Sequence, residues 1–192
     1  TTLFRSDKVL RLTMLFHDMG KPVMKTTDEN GRDHFKGHAI ASEQIAKTVM
    51  KRLKFDNDTI RKVTKLVAYH DYRMEPTGAN VRRAMHEIGV ELFPYYLAVR
   101  LADTKAQSSY ERRGKLENII QIRELYRNAL RNKECVTLKD LAVTGTDLIN
   151  LGIAPGKKLG TLLNELLDMV IEDPAWNQKG KLCDYVKERF GF

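Results

Sequence analysis

The chain has 192 residues, enough for one sizeable helical domain and a smaller one, and its 42% hydrophobic and 30% charged residues exclude a disordered protein. No apolar run approaches the roughly 20 residues of a membrane span, so we expect no membrane association. The 33 basic and 25 acidic residues give a net charge of +8, which favours polyanionic partners, although solvated helix faces carry such charge as well.

The chain is expected to be cytoplasmic. Residues 1–8 lack the basic-then-apolar pattern of a signal peptide, and the missing initiator Met predicts a piece of a longer protein. Cys135 and Cys183 lie far apart and show no metal-ligand spacing, which favours idle thiols in a reducing compartment.

Helical periodicity dominates the chain and predicts an all-α fold, because sustained alternation of the strand type is absent. A nearly all-apolar segment at residues 9–16 predicts a buried helix. The polar residues 21–37 predict a long loop beside a site. Later helices are predicted from apolar stripes at Ile45, Ala46, Val49, Met50 and Leu53, at Ile60, Val63, Leu66, Val67 and His70, at Leu116, Ile119, Ile120, Leu125, Ala129 and Leu130, and at Leu159, Leu162, Leu163, Leu166, Leu167 and Val170.

The segment QSSYERRG at residues 107–114 is a soft domain boundary between a histidine-bearing part and a histidine-free part. It predicts a helical domain at residues 1–108 and a smaller helical tail at residues 109–192. Basic residues are concentrated in the first part, at Lys47, Lys51, Arg52, Lys54, Arg61, Lys62, Lys65, Arg82 and Arg83.

A cluster of histidine and aspartate residues predicts a metal site. The buried helix delivers His17 and Asp18 from the middle of the fold, where an unpaired charge is costly and a divalent metal removes that cost. His70 and Asp103 lie on the inward faces of their helices. Each residue alone is an ordinary core residue, but the set favours a metal. Lys21 follows within reach of an anion at that metal.

The tail contains a helix–turn–helix connection that could hold phosphate. Thr146 is a plausible N-cap of the first helix, and the run LGIAPG ends that helix. Backbone N–H groups at the next helix start, with Lys157 and Lys158 beside them, predict a phosphate cradle. The alternative is a turn with a packing role only.

These motifs resemble a known family. The run HDMGKP looks like the H-D-[hydrophobic]-G-K-P signature of the HD metal-dependent phosphohydrolase superfamily, and the segments FKGHAIAS, LVAYHD and VRLADTKAQ resemble its later motifs. The tail, with LGIAPGKKLG and Asn177, is similar to the C-terminal block of bacterial CCA-adding enzymes and related poly(A) polymerases. The order of the two parts is the family's order, and the resemblance covers nearly the whole chain.

The resemblance implies roles for the cluster. His17, Asp18 and Asp103 would hold a divalent metal, which could be Mn, Ni, Mg, Fe or Zn. Asp18, Lys21, His38 and His70 would serve catalysis on a phosphoester substrate, with the two histidines facing the phosphate or a second metal. The family's first metal-binding histidine lies upstream of residue 1, and His34 is expected to be exposed.

The implied function is an HD-type phosphohydrolase module with a tRNA-binding tail. The chain has no Gly-Ser and Asp-x-Asp nucleotidyltransferase motif, so no CCA addition is expected from it. One alternative is a non-catalytic tRNA-binding module with a vestigial metal site. Another is a free-standing nucleotide phosphohydrolase, which would not bind tRNA.

Overall fold

The computed structural model describes residues 7–109 and 111–191, and this part of the chain is mostly helical, which confirms the predicted all-α class. No helix within it is long and apolar enough to cross a membrane. The helices are α1 (Lys8–Phe16), α2 (Lys21–Met24), α3 (His38–Arg52), α4 (Asn57–Tyr69), α5 (Gly78–Ile88), α6 (Phe93–Ala106), α7 (Arg112–Arg131), α8 (Gly145–Asn150), α9 (Lys157–Glu172) and α10 (Lys179–Phe190), with a 3₁₀ turn at Pro174–Trp176.

The segment at residues 21–37, which was predicted to be a long loop, contains regular secondary structure, and in this respect the prediction was wrong. It contains α2 and an antiparallel hairpin of β1 (Thr26–Thr27) and β2 (Asp33–His34). The Lys25 ammonium lies 2.8 Å from the Asp33 carboxylate, and the Thr27 hydroxyl donates to the same side chain at 2.8 Å. These exposed polar contacts hold a hairpin too short to show alternating hydrophobicity.

The described residues form two compact units. One comprises the chain up to Arg73 together with Ile88–Ile120, and the other comprises Met74–Glu87 together with the residues from Gln121 onward. In the first unit, α1 packs against α3, α4 and α6. The side chain of Asp7 begins α1 by accepting from two backbone N–H groups, at 2.8 and 3.1 Å.

The apolar stripes of the first unit form its core. The α4 stripe is buried along its whole length, and Ala46 and Met50 of α3 are fully buried. Leu53 is 59% exposed, although the stripe included it, because it is the C-cap residue and lies beyond the last helical turn. The first unit therefore has an apolar core to which α3 and α4 contribute.

The second unit has its own apolar core, which includes Leu148, Leu162, Leu166 and Leu167. Cys135 belongs to this core and is a free thiol, and burial raises its pKa to about 11, as expected of an unreactive cysteine.

Two polar features order the loops of the second unit. Thr144, and not the predicted Thr146, is the N-cap of α8, because Thr144 and Asp147 form a reciprocal capping box. The Asn177 amide accepts from the Ala142 N–H at 2.7 Å and donates to the Asp140 carbonyl at 3.0 Å, which joins two loops.

A buried guanidinium in the second unit ties α5 to the end of α9. Arg82 is 7% exposed and donates to the Ile171 carbonyl at 2.7 Å and the Glu172 carbonyl at 3.0 Å. It also pairs with the Glu134 carboxylate at 2.8 Å. The two carbonyls are among the last four of α9, which have no partner within the helix, so Arg82 satisfies groups that would otherwise lack a bond.

We predict that Arg82→Met lowers the free energy of unfolding by about 3–5 kcal/mol, because it leaves a partly buried carboxylate without its cation and two carbonyls without this donor. The matched control is Arg83→Met, which removes only an ion pair to Glu172 between half-exposed side chains and should cost at most about 1 kcal/mol. Urea unfolding followed by circular dichroism measures both, and equal losses would contradict the assignment.

Candidate metal centre

The first unit brings five predicted site residues to one place. His17 is the C-cap of α1 and Asp18 follows it, His70 is the C-cap of α4, His38 is the first residue of α3, and Asp103 lies near the end of α6. Four separate helices thus contribute to one cluster, and the apolar faces that pack these helices together set its geometry.

Asp18 lies at the centre of the cluster, with its two oxygens directed at different histidines. Its Oδ2 is 3.3 Å from Nε2 of His17, while its Oδ1 is 3.4 Å from Nε2 of His38 and 3.6 Å from Nε2 of His70. Asp103 joins from the other side, with its Oδ1 3.7 Å from Nε2 of His17.

Each of the three imidazoles is fixed by a hydrogen bond to a backbone carbonyl. The Nδ1 atoms of His17, His38 and His70 lie 2.8, 2.9 and 2.7 Å from carbonyl oxygens. The acceptors belong to Met14, Phe35 and Val67. Because a carbonyl can only accept, each Nδ1 carries the proton, and in the neutral ring Nε2 keeps a lone pair directed toward Asp18.

The donor set fits a divalent metal. Nε2 of His38 and Nε2 of His70 lie 3.1 Å apart, so two lone pairs would face each other unless a cation or a shared proton lies between them. Ligand atoms of Asp18, His38 and His70 all lie within 4.8 Å of one another, which is compatible with one ion. This group shares Asp18 with the predicted ligand set but contains His38 and His70 in place of His17 and Asp103.

Burial and charge act differently on the histidines. Burial lowers the pKa of His70, whose side chain is only 3% exposed, and so favours the neutral ring that a metal requires. The Asp103 carboxylate, 3.7 Å from the imidazole, raises the pKa of His17 above its usual value, and His17 in turn lowers the pKa of the Asp103 carboxyl. The carboxylates of Asp18 and Asp103 therefore favour a positive charge beside His17.

Gly20 allows the segment after Asp18 to lie directly against α3. A Cβ at this position would lie 2.4 Å from the His38 carbonyl oxygen and 2.7 Å from the Ser42 nitrogen. The Gly20 N–H instead donates to the Ser42 hydroxyl at 2.8 Å. Its φ of −79° is an ordinary value, so glycine is required here for close approach and not for a left-handed backbone conformation.

An open cleft of about 470 Å³ lies over the cluster. Lys21, at its edge, lies 2.6 Å from Oδ2 of Asp18, and Lys36 and Arg73 add two further cations to the lining. His34 also reaches the lining but is exposed and bonded to Asp28 at 2.8 Å, in agreement with its expected exposure.

Sequence reasoning missed Gln107. Its amide donates to Oδ2 of Asp103 at 2.8 Å and accepts from the Lys115 ammonium at 3.2 Å. The available signal was its spacing, since Gln107 lies four residues after Asp103 and thus follows it on the same helix face. It orients a carboxylate of the cluster.

The predicted phosphate cradle lies in the second unit, whereas the cluster belongs to the first. Lys157 and Lys158 are both exposed at the start of α9. Gly156 is the N-cap and gives no side-chain hydrogen bond, so the first N–H groups of α9 have no side-chain cap.

Comparison with known proteins places the chain in a family. Residues 38–186 match the family described as tRNA nucleotidyltransferase domain 2, a match that includes His38, His70 and Asp103 but begins after His17 and Asp18. An A-adding tRNA nucleotidyltransferase of Deinococcus radiodurans is 27% identical over 165 residues, which cover 85% of this chain and 38% of that protein. A CC-adding tRNA nucleotidyltransferase of Thermus thermophilus is 29% identical over 168 residues, which cover 84% of this chain and 36% of that protein.

The chain thus spans less than two fifths of the length of either relative. No solved structure matches it significantly. The family match nevertheless covers well over half of the chain and runs from the start of α3 into α10, so the chain belongs to the tRNA nucleotidyltransferase domain 2 family.

Proposed function

We propose that this chain is an HD-type, metal-dependent phosphohydrolase module joined to a tRNA-binding tail, from a protein related to the CCA-adding enzymes. The observation that carries the proposal is the position of Asp18, whose two oxygens face the Nε2 atoms of three histidines with fixed tautomers. In functional terms we assign the metal site to residues 1–108 and RNA binding to residues 109–192.

The residues present suit a divalent cation. Asp18, His38 and His70 would hold one ion, and His17 and Asp103 would complete the site or hold a second ion that shares Asp18. Imidazole and carboxylate ligands suit Mn, Fe, Ni or Zn better than Mg, which prefers oxygen alone. Such an ion, when bound, lowers the pKa of a coordinated water and polarises a phosphoryl oxygen.

The cleft supports a phosphoester substrate. The N-terminus of α3 begins at His38 and has no side-chain cap, so its N–H groups and the positive end of its dipole favour an anion beside the cluster. Lys21, Lys36 and Arg73 line the same cleft, where Arg73 also pairs with Asp71 at 3.0 Å, and Lys21 and Lys36 can neutralise phosphate oxygens. Lys21 is within reach of both Asp18 and a phosphate above it, which suits the role of a charge-stabilising cation.

The tRNA assignment rests on the family and on the tail. Both similar proteins act on tRNA by name, and the chain covers only part of each. Lys157 and Lys158, exposed at a helix N-terminus, provide charge and backbone donors for phosphate.

A second candidate function, a non-catalytic tRNA-binding module, is favoured by the family match, which begins after His17 and Asp18 and so does not depend on them.

We predict that the purified chain binds Mn²⁺ or Ni²⁺, and that Asp18→Ala weakens binding by at least about 100-fold, because changes outside the ligand sphere alone cost 10- to 100-fold. His38→Ala and His70→Ala should weaken it similarly. The control is His86→Ala, since His86 also bonds a carbonyl through Nδ1, at 2.9 Å, but lies in the other unit. Titration calorimetry measures the affinities, and a His86 variant as weak as the others would contradict the site.

We predict metal-dependent hydrolysis of bis-p-nitrophenyl phosphate, followed by release of p-nitrophenol, and its loss in Asp18→Ala. Lys21→Ala should reduce the rate at saturating metal, because Lys21 stabilises phosphate charge and is not a ligand. Wild-type protein that binds metal and tRNA but is inactive with Mn²⁺, Ni²⁺, Co²⁺ and Mg²⁺ would instead favour the non-catalytic module.

We predict that Lys157→Glu with Lys158→Glu weakens tRNA binding without regard to sequence, because phosphate contacts position RNA but do not specify it. The slope of log affinity against log salt should become shallower by roughly one to two units. Folding should be unaffected, since both side chains are exposed. Lys133→Glu with Lys139→Glu, also exposed and with the same net charge, is the control in filter binding at several salt concentrations. Equal slopes for the two variants would contradict phosphate contact at the start of α9 and would leave this segment with a packing role only.

A further inference from the structure

The C-terminal end of α3 carries a group of exposed cations. Lys47, Lys51 and Arg52 lie on α3, and Lys54 follows its C-cap. None of the four forms an ion pair or a side-chain hydrogen bond with the described residues. We call these four residues the α3 basic patch.

Two carboxylates that follow the patch in the chain are bonded to other cations. Asp56 caps α4 and lies 3.2 Å from the Lys8 ammonium. Asp58 pairs with Arg61 at 2.9 Å and with Lys62 at 2.6 Å. Part of the basic excess predicted from the sequence is therefore neutralised within the fold, whereas the charge of the patch is left for a partner.

A purely structural role explains only part of the patch. Lys51 and Arg52 lie in the last turn of α3, where cations interact favourably with the helix dipole. Lys47 lies one turn earlier, at the i,i+4 spacing from Lys51 at which like charges repel. Lys54 has a φ of 56°, a left-handed conformation in which glycine is the favoured residue.

Lys54 occupies the glycine position of a Schellman motif. The Phe55 N–H donates to the Met50 carbonyl at 3.1 Å, and the Lys54 N–H donates to the Lys51 carbonyl at 3.0 Å. A lysine at this position strains the backbone and extends the row of charge beyond the helix. The local fold does not require the charge, so replacing Lys54 by glycine removes a cation without disturbing the helix end.

We propose that the α3 basic patch binds the phosphate backbone of RNA and forms a second RNA-contacting surface, distinct from the α9 start. The proposal rests on the proposed tRNA partner. Side chains of Lys and Arg in a row, without a paired acid, are suited to consecutive phosphates, and release of their counterions drives such binding. The contact is expected to be independent of sequence, because the patch consists of cations and offers no base-reading amide.

The chain offers a matched pair of variants. At the end of α7, Lys133 also has a left-handed φ, of 51°, and the same two Schellman hydrogen bonds, of 3.1 and 2.9 Å. We therefore compare Arg52→Gln with Lys54→Gly against Arg131→Gln with Lys133→Gly. Both double variants remove two exposed cations at equivalent positions of a helix end, and both relieve one strained lysine.

The test is tRNA binding to the full chain between 50 and 200 mM salt, by filter retention. The patch variant should weaken binding and make the salt slope shallower by about 1.4 to 1.8, the value for two lost phosphate contacts on single or double strands. The α7 variant should retain the wild-type slope. Melting temperatures of both variants should equal or exceed that of the wild type.

Other results would overturn the proposal in distinguishable ways. If the wild type binds tRNA and the patch variant has the same slope, only this surface fails and the proposed tRNA partner stands. If the salt slope of tRNA binding becomes shallower by the same amount in both double variants, binding depends on net charge and not on this patch. If the wild type does not bind tRNA, both proposals fail. If the patch variant loses binding to phosphatidylserine vesicles but keeps tRNA affinity, the surface serves a membrane.

Discussion

The candidate site depends on three hydrogen bonds from imidazole Nδ1 atoms to backbone carbonyls. His17, His38 and His70 each bond the carbonyl of the residue three positions earlier, so a local rule sets three tautomers at once. For His17 and His70 the acceptors are carbonyls in the last turns of α1 and α4, which lack a full set of helical partners. One contact therefore completes a helix end and directs an Nε2 lone pair toward Asp18. Without these bonds the rings could rotate, and the convergence on one carboxylate would be lost.

Helix ends also determine where positive and negative charge is favoured around the cluster. α1 and α4 present their C-termini to it through their C-cap histidines, and the negative ends of their dipoles add to the carboxylates in favouring a cation. α3 presents its N-terminus, whose positive end favours an anion in the adjoining cleft. Gly20 makes this arrangement possible, because only a residue without a Cβ lets the chain after Asp18 approach the first turn of α3 so closely. The proposed metal and phosphate would thus bind at neighbouring positions that follow from backbone geometry.

From the sequence we could predict the helices and the residues that lie in the cluster, but not which atoms of those residues meet. Apolar periodicity identified α4 and α9, and the apolar segment at residues 9–16 correctly predicted a helix that ends at His17 and Asp18. The prediction that this helix is buried was wrong in part, because α1 buries one face only and Leu15 is 60% exposed. Periodicity says which residues face inward but not which atoms meet, so the 3.1 Å approach of His38 and His70 and the bond from Gln107 to Asp103 were missed. The hairpin at residues 26–34 and the Thr144 cap depend on polar contacts between specific side chains, for which hydrophobic patterning carries no signal.

The most direct test of the account is a crystal of the chain grown with Mn²⁺ and measured at the manganese absorption edge. We predict an anomalous peak about 2.0–2.5 Å from a carboxylate oxygen of Asp18 and from Nε2 of both His38 and His70, with the three Nδ1–carbonyl bonds intact. A second peak between Asp18, His17 and Asp103 would extend the site to two ions. A crystal in which the cluster has no peak at millimolar Mn²⁺, and in which a water or a shared proton joins His38 to His70, would contradict the central claim.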